Sequence, residues 1–145
     1  MNEIVVRNAE VSDSDALARL CTQLGYPTAG AAMPARLERF SSDANARAFV
    51  AVAGKNVVGL TTVQARYTLN HEAPIAQITL LVVDESVRSR GVGRALVEAA
   101  ERWARERGSK RIVVTTALAR DGAHAFYEKV EFAHTGRRYG KDLSP

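Results

Sequence analysis

Cysteine occurs once in the 145 residues, at Cys21, so an internal disulfide framework is excluded. Only four prolines are present and no stretch is of low complexity, which excludes a fibrous or disordered chain. No apolar run approaches the ~20 residues needed to cross a bilayer. The opening MNEIVVRNAE lacks the basic-then-apolar run of a secretory leader. Aromatic residues make up 6% of the chain and seldom interleave the basic ones, so no recognised nucleic-acid module is present. The setting expected from these absences is soluble, reducing and cytoplasmic, with no metal, no membrane and no nucleic acid as partner.

What remains is an ordinary globular balance, with 46% hydrophobic and 25% charged residues in a chain long enough for one domain with a real core. A single domain over residues 1–145 is expected. Lys plus Arg exceeds Asp plus Glu by 20 to 16, and this mild excess is concentrated. From Arg88 to Arg111 eight basic residues face three acidic ones, which favours an anionic partner such as a phosphorylated cofactor.

Periodicity predicts a short strand at 4–7, then a helix that opens on the Ser-x-x-Asp of Ser12–Asp15 and ends at Gly25. Leu17, Leu20, Cys21 and Leu24 form the helix's apolar face, which makes Cys21 a core residue. MPARLERF predicts a second short helix with Pro34 in its first turn. AFVAVA and VVGLTTV flank GKN and predict a hairpin with a three-residue turn. ITLLVV, residues 78–83, is almost uniformly apolar and is expected at the centre of the sheet. A long helix from Arg94 to Gly108, a strand at 111–116, a helix at 122–130 and a terminal strand region at 132–143 complete the order.

The stretch DESVRSRGVGRALV joins the apolar strand to the long helix. A helix start offers unpaired N–H groups and the positive end of a dipole. Gly91 and Gly93 keep side chains away from those amides, while Arg88, Arg90 and Arg94 can add charge-assisted hydrogen bonds, so the loop suits a pyrophosphate. A nucleotide P-loop would need Gly-Lys-Ser/Thr, and a dinucleotide fingerprint would need a third glycine where Leu96 stands. Neither fits.

RSRGVG, from Arg88 to Gly93, resembles the Arg/Gln-x-x-Gly-x-Gly/Ala signature of the GNAT superfamily of acetyl-CoA-dependent N-acetyltransferases. LLVVDESV before it and RALVEAAERWARERG after it resemble that family's central strand and long helix, and AHAFYEKVEF resembles its late helix with a tyrosine. The resemblance implies a single-domain α/β acyl-CoA N-acyltransferase fold, a mixed twisted sheet with antiparallel N-terminal strands and flanking helices. It implies acetyl-CoA as co-substrate, its pyrophosphate on Arg88, Ser89, Arg90, Gly91, Val92, Gly93 and Arg94, and its pantetheine arm on the backbone of Leu81, Val82 and Val83. It further implies that the amide of Leu81 stabilises the thioester oxygen and that Tyr127 protonates the departing thiolate.

The chain also departs from the family pattern. Gln77 stands where some relatives carry a glutamate base, and an amide cannot take the proton. His71, Glu72 or Asp84 acting through water are the candidates left, each also readable as a solvated loop or strand-end residue, and none is singled out as the base. Glu131 replaces the usual glycine at the end of the late helix, and LARDG lacks an asparagine found in many relatives. The expected reaction is direct transfer to a primary amine in a ternary complex. The alternative is a non-catalytic acyl-CoA-binding sensor of the same fold. The acceptor, a small-molecule or peptide amine, should be shaped by residues 25–34, the second helix, residues 64–75 and the turn at 136–140. Exposed C-terminal strands would make a homodimer credible.

Overall fold

Among the described residues five strands form one sheet in the spatial order β1 (Ile4–Asn8), β2 (Ala46–Ala53), β3 (Asn56–Arg66), β4 (Ile75–Val83) and β5 (Arg111–Val114). Neighbours from β1 to β4 run antiparallel, and β5 joins β4 in parallel. Parallel pairing requires a crossover, and α3 (Val92–Glu106) supplies it. The computed structural model describes residues 3–87, 91–115, 121–136 and 138–144, with 121–124 described through their backbone. Two compact units result, Met1–Val114 and Thr115–Pro145. The first holds the sheet, α1 (Ser14–Leu24), α2 (Met33–Ser41) and α3, and the second holds α4 (Asp121–Lys129).

Alternation along the strands divides the first unit's core. Val50, Leu60 and Val82 pack with Leu17, Leu20, Cys21, Met33 and Leu37 of α1 and α2. Ala51 and Val58 pack with Val92 and Leu96 of α3. Burying each large aliphatic side chain contributes about 1.5–3 kcal/mol, so these two clusters fix both helix layers on the sheet. The mixed α/β sheet with antiparallel N-terminal strands is the one expected.

Local details differ from the expectation. Among the described residues β3, rather than β4, is the middle strand, because β1 and β2 lie on one side of it and β4 and β5 on the other. The hairpin turn has two residues, Gly54 and Lys55, because Ala53 pairs with Asn56. Ser12 does not cap α1: a 3₁₀ turn over Val11–Asp13 precedes that helix, and the Glu10 N–H donates to the Asp13 carboxylate at 2.8 Å. Asp13 holds that place because Arg7 grips both its oxygens, each at 2.9 Å. No strand forms among the described residues of 132–144, so the feature that supported a dimer is missing there.

Helix ends follow the expected chemistry. In α3 the amides of Gly108 and Ser109 donate to the carbonyls of Arg105 and Ala104, the paired bonds of a Schellman cap. The end of α4 closes in the same way without a glycine. Glu131 takes the left-handed conformation at φ 71°, with Glu131 N–H to Glu128 C=O at 3.1 Å and Phe132 N–H to Tyr127 C=O at 2.9 Å.

Candidate active site

The site begins with a fault in β4. Thr62 pairs with Leu80 and Val63 with Ile78, so Thr79 is an extra residue, a β-bulge. Pairing with β5 runs only from Ile75 to Ile78. Beyond the bulge β4 continues to Val83, while β5 ends at Val114. Among the described residues no strand therefore pairs along the far edge of Leu80–Val82.

Which backbone groups face that edge follows from the ladder. The Asp84 N–H donates to the Val58 carbonyl at 2.8 Å, which makes Val58 and Asp84 a hydrogen-bonded pair. Antiparallel pairs alternate, so Val82 turns its N–H and C=O toward β3, and Leu81 turns its own the opposite way. The amide singled out from the sequence thus points into the open edge. The side chains of Leu81 and Val83 join the α3 face of the core, and Val82 joins the other.

Beside this edge stands the start of α3. Gly91 precedes the helix at φ 80°, a left-handed value that a side chain disfavours, and among the described residues nothing beyond its own chain neighbours and helix backbone would lie within 4 Å of a Cβ there. The first intrahelical bond runs from Ala95 N–H to Gly91 C=O at 3.1 Å, so the amides of Val92 and Gly93 lie ahead of it at the helix's positive end. Val92 is buried, Gly93 half-buried and Arg94 exposed. Arg88, Ser89 and Arg90, named from the sequence, lie outside the described residues, as do residues 116–120, which include most of LARDG.

Gly59, which sequence reasoning missed, sets the depth of that helix. A Cβ at Gly59 would meet Leu96 Cδ1 at 2.9 Å and Val92 Cγ1 at 3.0 Å, so the absence of a side chain lets the first turn of α3 lie close on β3. An isolated glycine inside a strand pattern is the available signal for such an approach.

Asp84 and Glu85, just beyond β4, are held from α1. Arg19 lies 3.6 Å from the Asp84 carboxylate, and Gln23 Oε1 accepts the Glu85 N–H at 3.2 Å. The Ser86 N–H holds the Asp84 carboxyl below the ordinary carboxylate range, with its hydroxyl and Arg19 adding to the effect. Asp84 is therefore a committed anion and a poor base. His71 is exposed and shares its Nδ1 with Thr68 at 3.1 Å and Asn70 at 3.2 Å. Gln77 accepts from Arg66 at 2.5 Å, so its carbonyl is engaged at the position where a carboxylate base was sought. Cys21 is buried in the core, and burial pushes its thiol up.

Tyr127 belongs to the second unit, half-buried on α4. Its ring meets Phe126 at 5.4 Å and Phe132 at 5.8 Å between centroids, both edge-on. The structure brings Leu81–Val83 and Gly91–Arg94 together within the first unit, and fixes the Tyr127 ring within the second.

The mixed sheet, with an open strand edge beside a glycine-opened helix start, defines the class as α/β. Residues 15–132 match the acetyltransferase (GNAT) family, and the chain belongs to that family. It is an acetyl-CoA-dependent N-acetyltransferase.

The aminoalkylphosphonate N-acetyltransferase of Salmonella typhimurium is 28% identical over 143 residues, covering 95% of this chain and 90% of its own length. An uncharacterized N-acetyltransferase of Chlorobaculum tepidum is 29% identical over 139 residues, covering 96% and 84%. Among solved structures, the aminoglycoside N-acetyltransferase AAC(6')-Iy in complex with CoA superposes with a TM-score of 0.86 at 20% identity, covering 99% of this chain and 97% of its own. A Trypanosoma brucei acetyltransferase gives 0.82 at 23%, covering 97% and 100%. These structural likenesses are likenesses of fold. No helix among the described residues is long and apolar enough to cross a membrane.

Proposed function

We propose that this chain moves an acetyl group from acetyl-CoA to the primary amine of a small molecule, by direct attack within a ternary complex. The observation that carries the reading is the Leu81 peptide, turned away from β3 into the edge that β5 leaves open after Ile78. A preorganised N–H at that point stabilises negative charge as it develops on the thioester oxygen. The backbone of Leu81–Val83 pairs with the pantetheine arm as an added strand would. The amides and arginines from Arg88 to Arg94 hold the pyrophosphate, with Gly91 opening the helix end to it.

Tyr127 donates the proton that the departing thiolate needs, and a phenol near pKa 10 is matched to that task. The Phe126 and Phe132 rings limit the directions its own ring can take. Cys21, a buried thiol shifted away from its nucleophilic form, supports direct attack over an acetylated enzyme. The match over residues 15–132 spans both compact units and supports one functional domain over 1–145. A small acceptor is supported by the Salmonella relative, which is named for aminoalkylphosphonates. The scarcity of acidic residues in 25–34 and 64–75 argues against a polycation.

The test is release of free CoA thiol from acetyl-CoA by the purified protein across amino acids, aminoalkylphosphonates, aminoglycosides, polyamines and peptides. Acceptor-dependent release with a small amine supports the reading. Release only with peptides overturns the acceptor class, and silence throughout, with acetyl-CoA bound, favours a sensor.

A further inference from the structure

Thr61 stands in the middle of β3 with no exposed surface, in a run whose other buried members are mostly apolar. A valine would fill the same volume, and a buried hydroxyl is costly unless it is bonded. Its partner is specific: Thr61 Oγ1 donates to the Leu80 carbonyl at 2.8 Å. The Leu80 C=O and the Leu81 N–H are the two ends of one planar trans peptide, so they point in opposite directions. The hydroxyl therefore grips one end of the same peptide unit whose other end faces the open edge.

The place matters as well. This peptide follows directly on the extra residue Thr79, where the ladder with β3 changes register. A second threonine pair, Thr62 Oγ1 with Thr79 Oγ1 at 2.7 Å, clamps the bulge itself. Bonding the carbonyl both stops the plane from rotating and withdraws electron density from it, which makes the N–H a better donor.

We infer that Thr61 is a positioning residue, whose hydroxyl orients and polarises the Leu80–Leu81 peptide for the developing charge on the thioester oxygen. The inference rests on the reading of the Leu81 amide as the oxyanion donor. Thr61 touches neither the co-substrate nor the reacting atoms in this role.

The experiment compares Thr61→Val, which keeps shape and removes the hydroxyl, with Thr61→Ser, which keeps the hydroxyl. Thr61→Val should lower kcat roughly three- to tenfold, the range of one hydrogen bond, and leave the Kd for acetyl-CoA nearly unchanged. Thr61→Ser should restore kcat. Equal changes in kcat and Kd, or an unchanged kcat in Thr61→Val, would overturn the inference. If Thr61→Val does not fold, Thr61→Cys, with its weak thiol donor, should fall below Thr61→Ser in kcat at equal Kd, and equality of the two overturns it.

The amide proton of Leu81, followed by NMR during titration with acetyl-CoA, separates the two layers. No response in the native protein would overturn the Leu81 reading and this inference with it. A downfield shift in the native protein that persists undiminished in Thr61→Val would overturn the role of Thr61 alone.

Discussion

The Phe132 ring meets the Tyr127 ring edge-on at 5.8 Å, and the Phe132 amide bonds the Tyr127 carbonyl at 2.9 Å. The cap of α4 thus holds the proposed acid by both its ring and its backbone. Tyr127→Phe keeps the ring contacts and removes only the hydroxyl. Turnover should fall by about 10²-fold or more, the scale of general acid catalysis, with little change in acetyl-CoA affinity measured by calorimetry. Parallel losses in both would assign Tyr127 to structure.

Glu131 sits left-handed at φ 71° in that cap, a conformation glycine adopts without penalty. Glu131→Gly should stabilise the end of α4 by about 1 kcal/mol, read as slower hydrogen exchange at the Glu131 and Phe132 amides. Faster exchange there would mean that the glutamate side chain itself supports the cap.

Gly59→Ala places a methyl group 2.9 Å from Leu96 and 3.0 Å from Val92. Overpacking of this kind costs about 1–3 kcal/mol, and relief requires α3 to lift from the sheet. Denaturation should occur at lower urea, and the KM for acetyl-CoA should rise more than kcat falls, because the displaced turn carries the proposed phosphate amides. A stability loss without any change in KM would separate Gly59 from the site.

The Arg7 guanidinium, by its hydrogen bonds to a nearly buried carboxylate, holds Asp13 below the ordinary carboxylate range. A depressed carboxyl stabilises the fold above its unfolded value of about 3.9 and ceases to do so as pH falls through the lower folded value. Asp13→Asn should cost roughly 1–3 kcal/mol near neutrality and flatten the acid limb of the stability curve. Urea denaturation between about pH 2 and 7 checks this, and an acid limb as steep as the native one would refute the assignment.

Much of this architecture was legible in the sequence because it depends on local chemistry. Gly25 and Gly108 end their helices, and the change from strand to helical period located α3. The glutamate in place of glycine at 131 was visible as a strained cap, and the cap still closes with the same two bonds. What was not legible depends on partners distant in the chain. Thr79 became a bulge residue only through the register of β3, and Gly59 mattered only once α3 lay over it. The threonine grip on the Leu80 carbonyl joins residues 19 positions apart. Asp13 replaced Ser12 at the helix entry because Arg7, on the first strand, holds it.

The most direct measurement is to follow the fate of the acetyl group itself, using acetyl-CoA labelled with carbon-13 in the acetyl carbonyl and a small amine that stimulates thiol release. The account predicts that label enters the amine as an N-acetyl product at the rate of thiol release, and that intact-protein mass shows no acetylated intermediate. Label recovered as free acetate, or carried on the protein itself, would contradict direct transfer.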